Sequence, residues 1–96
     1  MAKGYWVSVY RTISDPEKLA AYNELAAAAV EAGGGRTLAR GGRVDAHEDG
    51  VAERVILVEF DSFEQAVAAR ASEAYQQALH VLSDAVERDF RIIEGV

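Results

Sequence analysis

The heptapeptide Arg54-Val-Ile-Leu-Val-Glu-Phe60 decides how this chain folds. Its β-branched and aromatic content suits a pleated strand. Successive side chains point to opposite faces, so Val55, Leu57 and Glu59 share one side while Ile56, Val58 and Phe60 share the other. Both sides are apolar, and a strand apolar on both faces is buried on both faces. The sheet that contains it must therefore be covered twice.

Working outward, the same pattern recurs at both ends. In Gly4-Tyr-Trp-Val-Ser-Val-Tyr-Arg-Thr-Ile13, Tyr5, Val7 and Val9 lie on one parity and Trp6 and Tyr10 on the other. Asp89-Phe-Arg-Ile-Ile-Glu94 reads as a closing strand, with Phe90 and Ile92 opposed to Ile93. A further strand is expected from Arg36 towards Val44, with Gly41-Gly42 marking a bulge or close approach and His47-Glu-Asp-Gly50 forming a hairpin connection. Between strands the period changes. Asp15-Pro16 is an N-cap followed by a first-turn proline, and Leu19, Tyr22, Leu25, Ala26, Ala29 and Val30 follow helical spacing up to Gly33-Gly34-Gly35. Asp61 or Ser62 caps a second helix carrying Phe63, Ala66, Val67 and Arg70. Ser72-Glu73 restarts it, and Tyr75, Ala78, Leu79, Leu82 and Val86 continue the period.

The order βαββαβ predicts an α+β, ferredoxin-like sandwich, a single domain over residues 1–96, with right-handed crossovers placing both helices on one face of the sheet. Helices cover one face only. At roughly 25 cal/mol per Å², an open face of several hundred apolar Å² is a liability of many kcal/mol. The expected cover is a second copy related by a two-fold axis, giving a homodimer joined through its sheets as a dimeric α+β barrel.

Composition limits the function classes. The chain has 96 residues, with 10 Lys+Arg against 16 Asp+Glu and a formal charge of −6. No apolar run approaches the roughly 20 residues of a membrane span, and no basic leader opens the chain. The absence of cysteine excludes disulfides, thiolate metal sites and thiol nucleophiles. A cytoplasmic domain is expected. Nucleic acid is disfavoured by the charge and because Arg54–Phe60 lacks the basic-Gly-aromatic signature of RNA-recognition sheets.

Glu59 is the most informative polar residue, since a carboxylate inside an apolar strand needs a cation or a raised pKa. Arg36 and Arg40, read as sharing one parity of the neighbouring strand, are the candidate partners. One reading makes Glu59 and Arg40 a catalytic or ligand-orienting pair. The other makes Glu59 half of a structural ion pair at the sheet edge or dimer seam. Trp6, Tyr10, Tyr22 and Tyr75, with Arg36, are candidate ligand-binding residues of a cleft between sheet and helices, or else simply core. Neither a cofactor motif nor metal-ligand spacing is present. His80 is a lone helix histidine, considered and set aside as a haem ligand. His47-Glu48-Asp49 reads as a solvated tip. The triple glycine follows a helix and lacks a phosphate loop's Lys-Ser/Thr ending.

Several segments together resemble the bacterial domain-of-unknown-function family 1330. They are Gly4-Tyr-Trp-Val7, Gly34-Gly-Arg-Thr-Leu-Ala-Arg-Gly-Gly42, Val58-Glu-Phe-Asp-Ser-Phe-Glu-Gln-Ala66, Ala74-Tyr-Gln76 and Glu94-Gly95. One departure is Ser72-Glu-Ala-Tyr75, where the family reads Ser-Pro-Glu-Tyr. The resemblance implies the ferredoxin-like fold and the dimer, and it implies no activity. Two functions are therefore expected as alternatives. One is binding or cofactor-free transformation of a small apolar or acidic molecule in the sheet–helix cleft. The other is a non-catalytic dimerisation module.

Overall fold

A computed structural model describes residues 2–96; Met1 lies outside it. The elements are β1 (Gly4–Ile13), α1 (Pro16–Ala32), β2 (Arg36–Arg40), β3 (Val55–Phe60), α2 (Phe63–Ala71), α3 (Glu73–Leu82) and β4 (Val86–Glu94). The strands form one antiparallel sheet in the order β2-β3-β1-β4, with the helices packed on one side. This is the ferredoxin-like α+β fold that the strand and helix periods predict.

Capping explains the helix boundaries. The Asp15 carboxylate accepts the Lys18 N–H at 3.1 Å, and the Ser62 hydroxyl accepts the Gln65 N–H at 3.1 Å. Ser72 accepts the Tyr75 N–H at 3.3 Å and donates to the Ala69 carbonyl at 2.8 Å, so it ends α2 and starts α3. The predicted second helix is thus two helices. Val86 belongs to β4, three residues earlier than that strand was expected to begin, because Ser83 takes a positive φ of 50° and turns the chain back. β2 also stops short of Val44: Gly41 and Gly42 adopt φ of 67° and 76°, and lead the chain away from the sheet.

The inward face of the sheet carries Trp6, Ser8, Tyr10, Ile56, Val58, Phe60, Arg88, Phe90 and Ile92 in cross-strand rows. Trp6 is the hub of this core. Its ring lies 4.8–5.4 Å from Tyr75, Phe60 and Phe90, and its indole N–H donates to the Ala66 carbonyl at 2.8 Å, which docks α2 on the sheet. Gly4 permits the same approach, since a Cβ there would stand 2.4 Å from the Ser62 carbonyl oxygen.

The outward face pairs Val7 with Leu57 and Val9 with Val55, each half-buried, beside Ile93, which is 57% exposed. Charged pairs border this apolar centre. Arg36 meets Glu59 and Asp61 at one edge, and Arg91 meets Asp89 on the opposite edge strand.

Ser72→Ala removes a cap from α3 and a hydrogen bond from the end of α2. It is expected to cost about 1 kcal/mol of stability, read as a lower urea midpoint at unchanged m-value.

Candidate functional site

The cleft under α1 and α3 holds a cavity of ≈ 60 Å³. Trp6, Tyr10, Tyr22, Tyr75 and Arg40 of the predicted site line it, together with Arg88, Ser8, Asn23 and Phe90. The β1 residues reach it because even-numbered positions face the helices. Tyr22 reaches it from the buried stripe of α1, and Tyr75 from the first turn of α3.

Glu59 and Arg36 are not there. Glu59 pairs with Tyr5 and Arg36 across the outward face, so the expected joining of Glu59 with Arg40 in the cleft is corrected. Glu59 faces outward with Val55 and Leu57, and a bulge in β2 between Thr37 and Ala39 turns Arg40 to the other side. One extra residue reverses the alternation of the strand. Arg36 therefore faces outward opposite Glu59, while Arg40 faces inward opposite Ile56, and the two do not share a side. The Arg36 Nε and Nη2 donate to the Glu59 Oε1 at 3.2 and 3.1 Å, Nη2 also donates to Asp61 at 3.0 Å, and the Tyr5 hydroxyl donates to the Glu59 Oε2 at 3.2 Å. Glu59 has the partners of a structural ion pair.

Arg88 is the residue that sequence reading missed. Its Nη1 donates to the hydroxyls of Tyr10 and Tyr22 at 3.2 Å and of Ser8 at 3.4 Å, and its Nη2 donates to that of Tyr75 at 3.4 Å. Its guanidinium also lies 5.0–5.5 Å from the ring centres of Tyr10, Tyr22 and Phe90, within cation–π range. The Tyr22 and Tyr75 hydroxyls are hydrogen-bonded to each other. Burial works against the Arg88 charge, but the oxygens of Tyr22 and Tyr75 more than offset it and hold the group above its ordinary pKa. The Tyr22 phenol is raised by burial and by Tyr75, and the Tyr10 phenol is raised by burial. A signal for Arg88 was present: it shares the parity of Phe90 and Ile92, so extending β4 by one turn of alternation puts an arginine on the buried side.

His80 is exposed on α3, and His47 is exposed in the connection between β2 and β3 beside Asp45. Among the described residues no group of three His, Cys, Asp or Glu is placed to hold a metal ion, and no helix is long and apolar enough to cross a membrane.

The topology and this inward cluster define a ferredoxin-like α+β domain with a helix-covered cleft. The chain belongs to the family described as domain of unknown function (DUF1330), whose model matches residues 3–96. No curated protein matches it by sequence. Among solved structures it is similar to the methylated RPA0582 protein of Rhodopseudomonas palustris, of unknown function, with a TM-score of 0.76 and 17% identity over 99% of this chain and 82% of that one. A Nitrosomonas europaea protein provisionally named an antibiotic biosynthesis monooxygenase gives a TM-score of 0.58 and 15% identity over 99% and 90%. A dimeric ferredoxin-like protein of unknown function from Thermobifida fusca gives 0.55 and 10% over 99% and 92%. At these identities the likeness shows the fold.

Two outcomes follow from this geometry. Raised Tyr10 and Tyr22 values mean that the folded state keeps protons which the unfolded chain releases above its phenol value of 10.0, so stability is full below that pH and falls as pH climbs past it. Urea midpoints across the alkaline range check this, and Tyr22→Phe flattens the decline. Glu59→Gln, on the far face, leaves the affinity of any cleft ligand within about two-fold, as measured by titration.

Proposed function

We propose that this protein is a homodimer that binds a small, largely apolar molecule in the sheet–helix cleft without a cofactor, with the polar end of that molecule against the Tyr10, Tyr22, Tyr75 and Arg88 cluster. The observation that carries this reading is the cavity itself. It lies against the hydrophobic core, walled by Trp6, Ile56, Val58 and Phe90, and its polar groups are gathered in one cluster. A small number of convergent polar groups in an apolar concavity is the usual composition of a ligand site. Trp6, Tyr10, Tyr22 and Tyr75 take the enclosing role, and Arg40 stands at an exposed position of the same wall. Arg36 and Glu59 have no part in it.

Dimerisation is supported by the outward apolar centre of Val7, Val9, Val55 and Leu57 and by the dimeric description of the Thermobifida fusca neighbour. A reaction in the cleft would be consistent with the provisional monooxygenase name of the Nitrosomonas europaea neighbour, by analogy of fold. A cytoplasmic location is part of the proposal, in keeping with a cysteine-free acidic chain.

The second reading, a non-catalytic dimerisation module, is favoured by one specific feature. Glu59, the polar residue most suggestive of chemistry in the sequence, is held by Arg36 and Tyr5 on the outward face and is not among the residues that line the cavity.

Native mass spectrometry separates the two. The proposal expects a species of twice 10.4 kDa that releases a small organic molecule on denaturation. A bare dimer that takes up no added small molecule supports the module, and a 10.4 kDa monomer removes the dimer from both readings.

A further inference from the structure

We infer that the cleft accepts its ligand as an already ionised carboxylate, bound by the Arg88 guanidinium and the tyrosine hydroxyls around it. The inference rests on the small-molecule reading above and adds the chemical class.

The lining is rich in donors: two guanidiniums, five hydroxyls, the Trp6 indole and the Asn23 amide. No Asp, Glu or His is among the residues that wall the cavity, and the Asn23 amide supplies the one carbonyl oxygen among their side chains. Both cations on the wall, Arg88 and Arg40, lack a salt bridge among the described residues, in a chain that carries 16 acidic residues. A third guanidinium, Arg54, has a buried Nε with no partner, and its charge acts on the Tyr10 phenol.

Tyr10, Tyr22 and Tyr75 each accept a hydrogen bond from Arg88. Each also carries an O–H of its own. One of those protons lies between Tyr22 and Tyr75. The other two, from Tyr10 and from one member of that pair, have no acceptor among the described residues. Donors that face an open volume favour an occupant that can accept from them. The Tyr10 and Tyr22 phenols are raised, so they remain donors throughout the neutral range. The group that completes this arrangement brings several lone pairs and no proton.

A carboxylate does that. When ionised it is acceptor-only, with about four lone-pair positions on two oxygens. A primary amide of the same shape brings two N–H donors towards a wall of donors. The cleft also contains no group to deprotonate a ligand: Glu59 is on the other face, and both histidines are exposed elsewhere. An acid that is ionised before it arrives, as carboxylic acids are at neutral pH, meets this requirement; a phenol or simple enol does not.

A polar head group held at the Arg88 cluster leaves the remainder of a longer molecule to extend along the wall. The cavity reaches the surface, because the exposed residues Ala27 and Arg40 form part of its wall.

Trp6 is the single tryptophan of the chain and lines the cavity, so its fluorescence reports occupancy. The test is a titration of the intact protein at neutral pH with sodium hexanoate and with hexanamide, with sodium chloride as the ionic-strength control. Hexanoate is expected to give a saturable change, and hexanamide to bind at least about ten-fold more weakly, the effect of mispairing a charge-assisted hydrogen bond. Tyr10→Phe, which keeps the ring and removes one donor, is expected to weaken hexanoate about ten-fold by the same argument while its urea midpoint shows that it folds. Arg88→Lys keeps the charge without the planar fork and is expected to weaken it further. Equal binding of hexanoate and hexanamide overturns the carboxylate inference and leaves the small-molecule reading standing. Binding of neither at millimolar concentration overturns both.

Discussion

The Arg88 side chain lies 3.2–3.4 Å from four hydroxyl oxygens and over three aromatic rings, and no carboxylate stands beside it. Through those hydroxyls one guanidinium on β4 is connected to β1, to α1 and to α3. A charge withdrawn from water costs several kcal/mol unless hydrogen bonds and nearby electron density replace what the solvent gave it. Here the phenol oxygens and ring faces do so in part, and the cluster remains rich in protons and poor in acceptors. A core built for stability alone would fill this volume with aliphatic side chains. That surplus of donors beside an open volume is the physical basis of the proposed ligand site.

The sheet that carries this cluster has two different faces. Inward, aromatic packing around Trp6 and the close approach at Gly4 hold the helices against the strands. Outward, the rows Val7–Leu57 and Val9–Val55 are bounded by the Arg36–Glu59–Asp61 and Arg91–Asp89 pairs. An apolar centre with a charged border has the anatomy of an interface. The two faces therefore separate their roles, with the helices enclosing the cleft and a second copy of the sheet proposed for the other side. The Arg36–Glu59 pair belongs to the outer arrangement, where both charges keep contact with water and have small energetic consequences.

Much of the fold was legible because alternation and capping are local signals. The two-sided apolar pattern of Val55–Phe60, the caps at Asp15 and Ser62, and the strand Gly4–Ile13 all lie where the residues indicate. What failed was the counting of faces across an irregularity. The bulge between Thr37 and Ala39 has no strong sequence mark, since neither glycine nor proline occurs within Arg36–Arg40, yet it moves Arg40 to the face opposite Arg36. Glu59 was already on the parity of Val55 and Leu57. Placing it in the cleft required it to face the same way as Trp6, which the cross-strand register rules out. A closing strand read from Asp89 leaves Arg88 outside it, and only β4 extended back to Val86 puts that residue on the sheet. Burial of that arginine depends on contacts 66 and 78 residues away, at Tyr22 and Tyr10, which no local pattern reports.

The most direct measurement is a high-resolution crystal structure of the protein grown with sodium butanoate. A carboxylate is expected within hydrogen-bond distance of the Arg88 guanidinium and the Tyr10 hydroxyl, its alkyl chain leaving the cavity past the exposed part of the wall. Water alone at that position, or an Arg88 guanidinium paired with an acidic side chain of the protein, would contradict it.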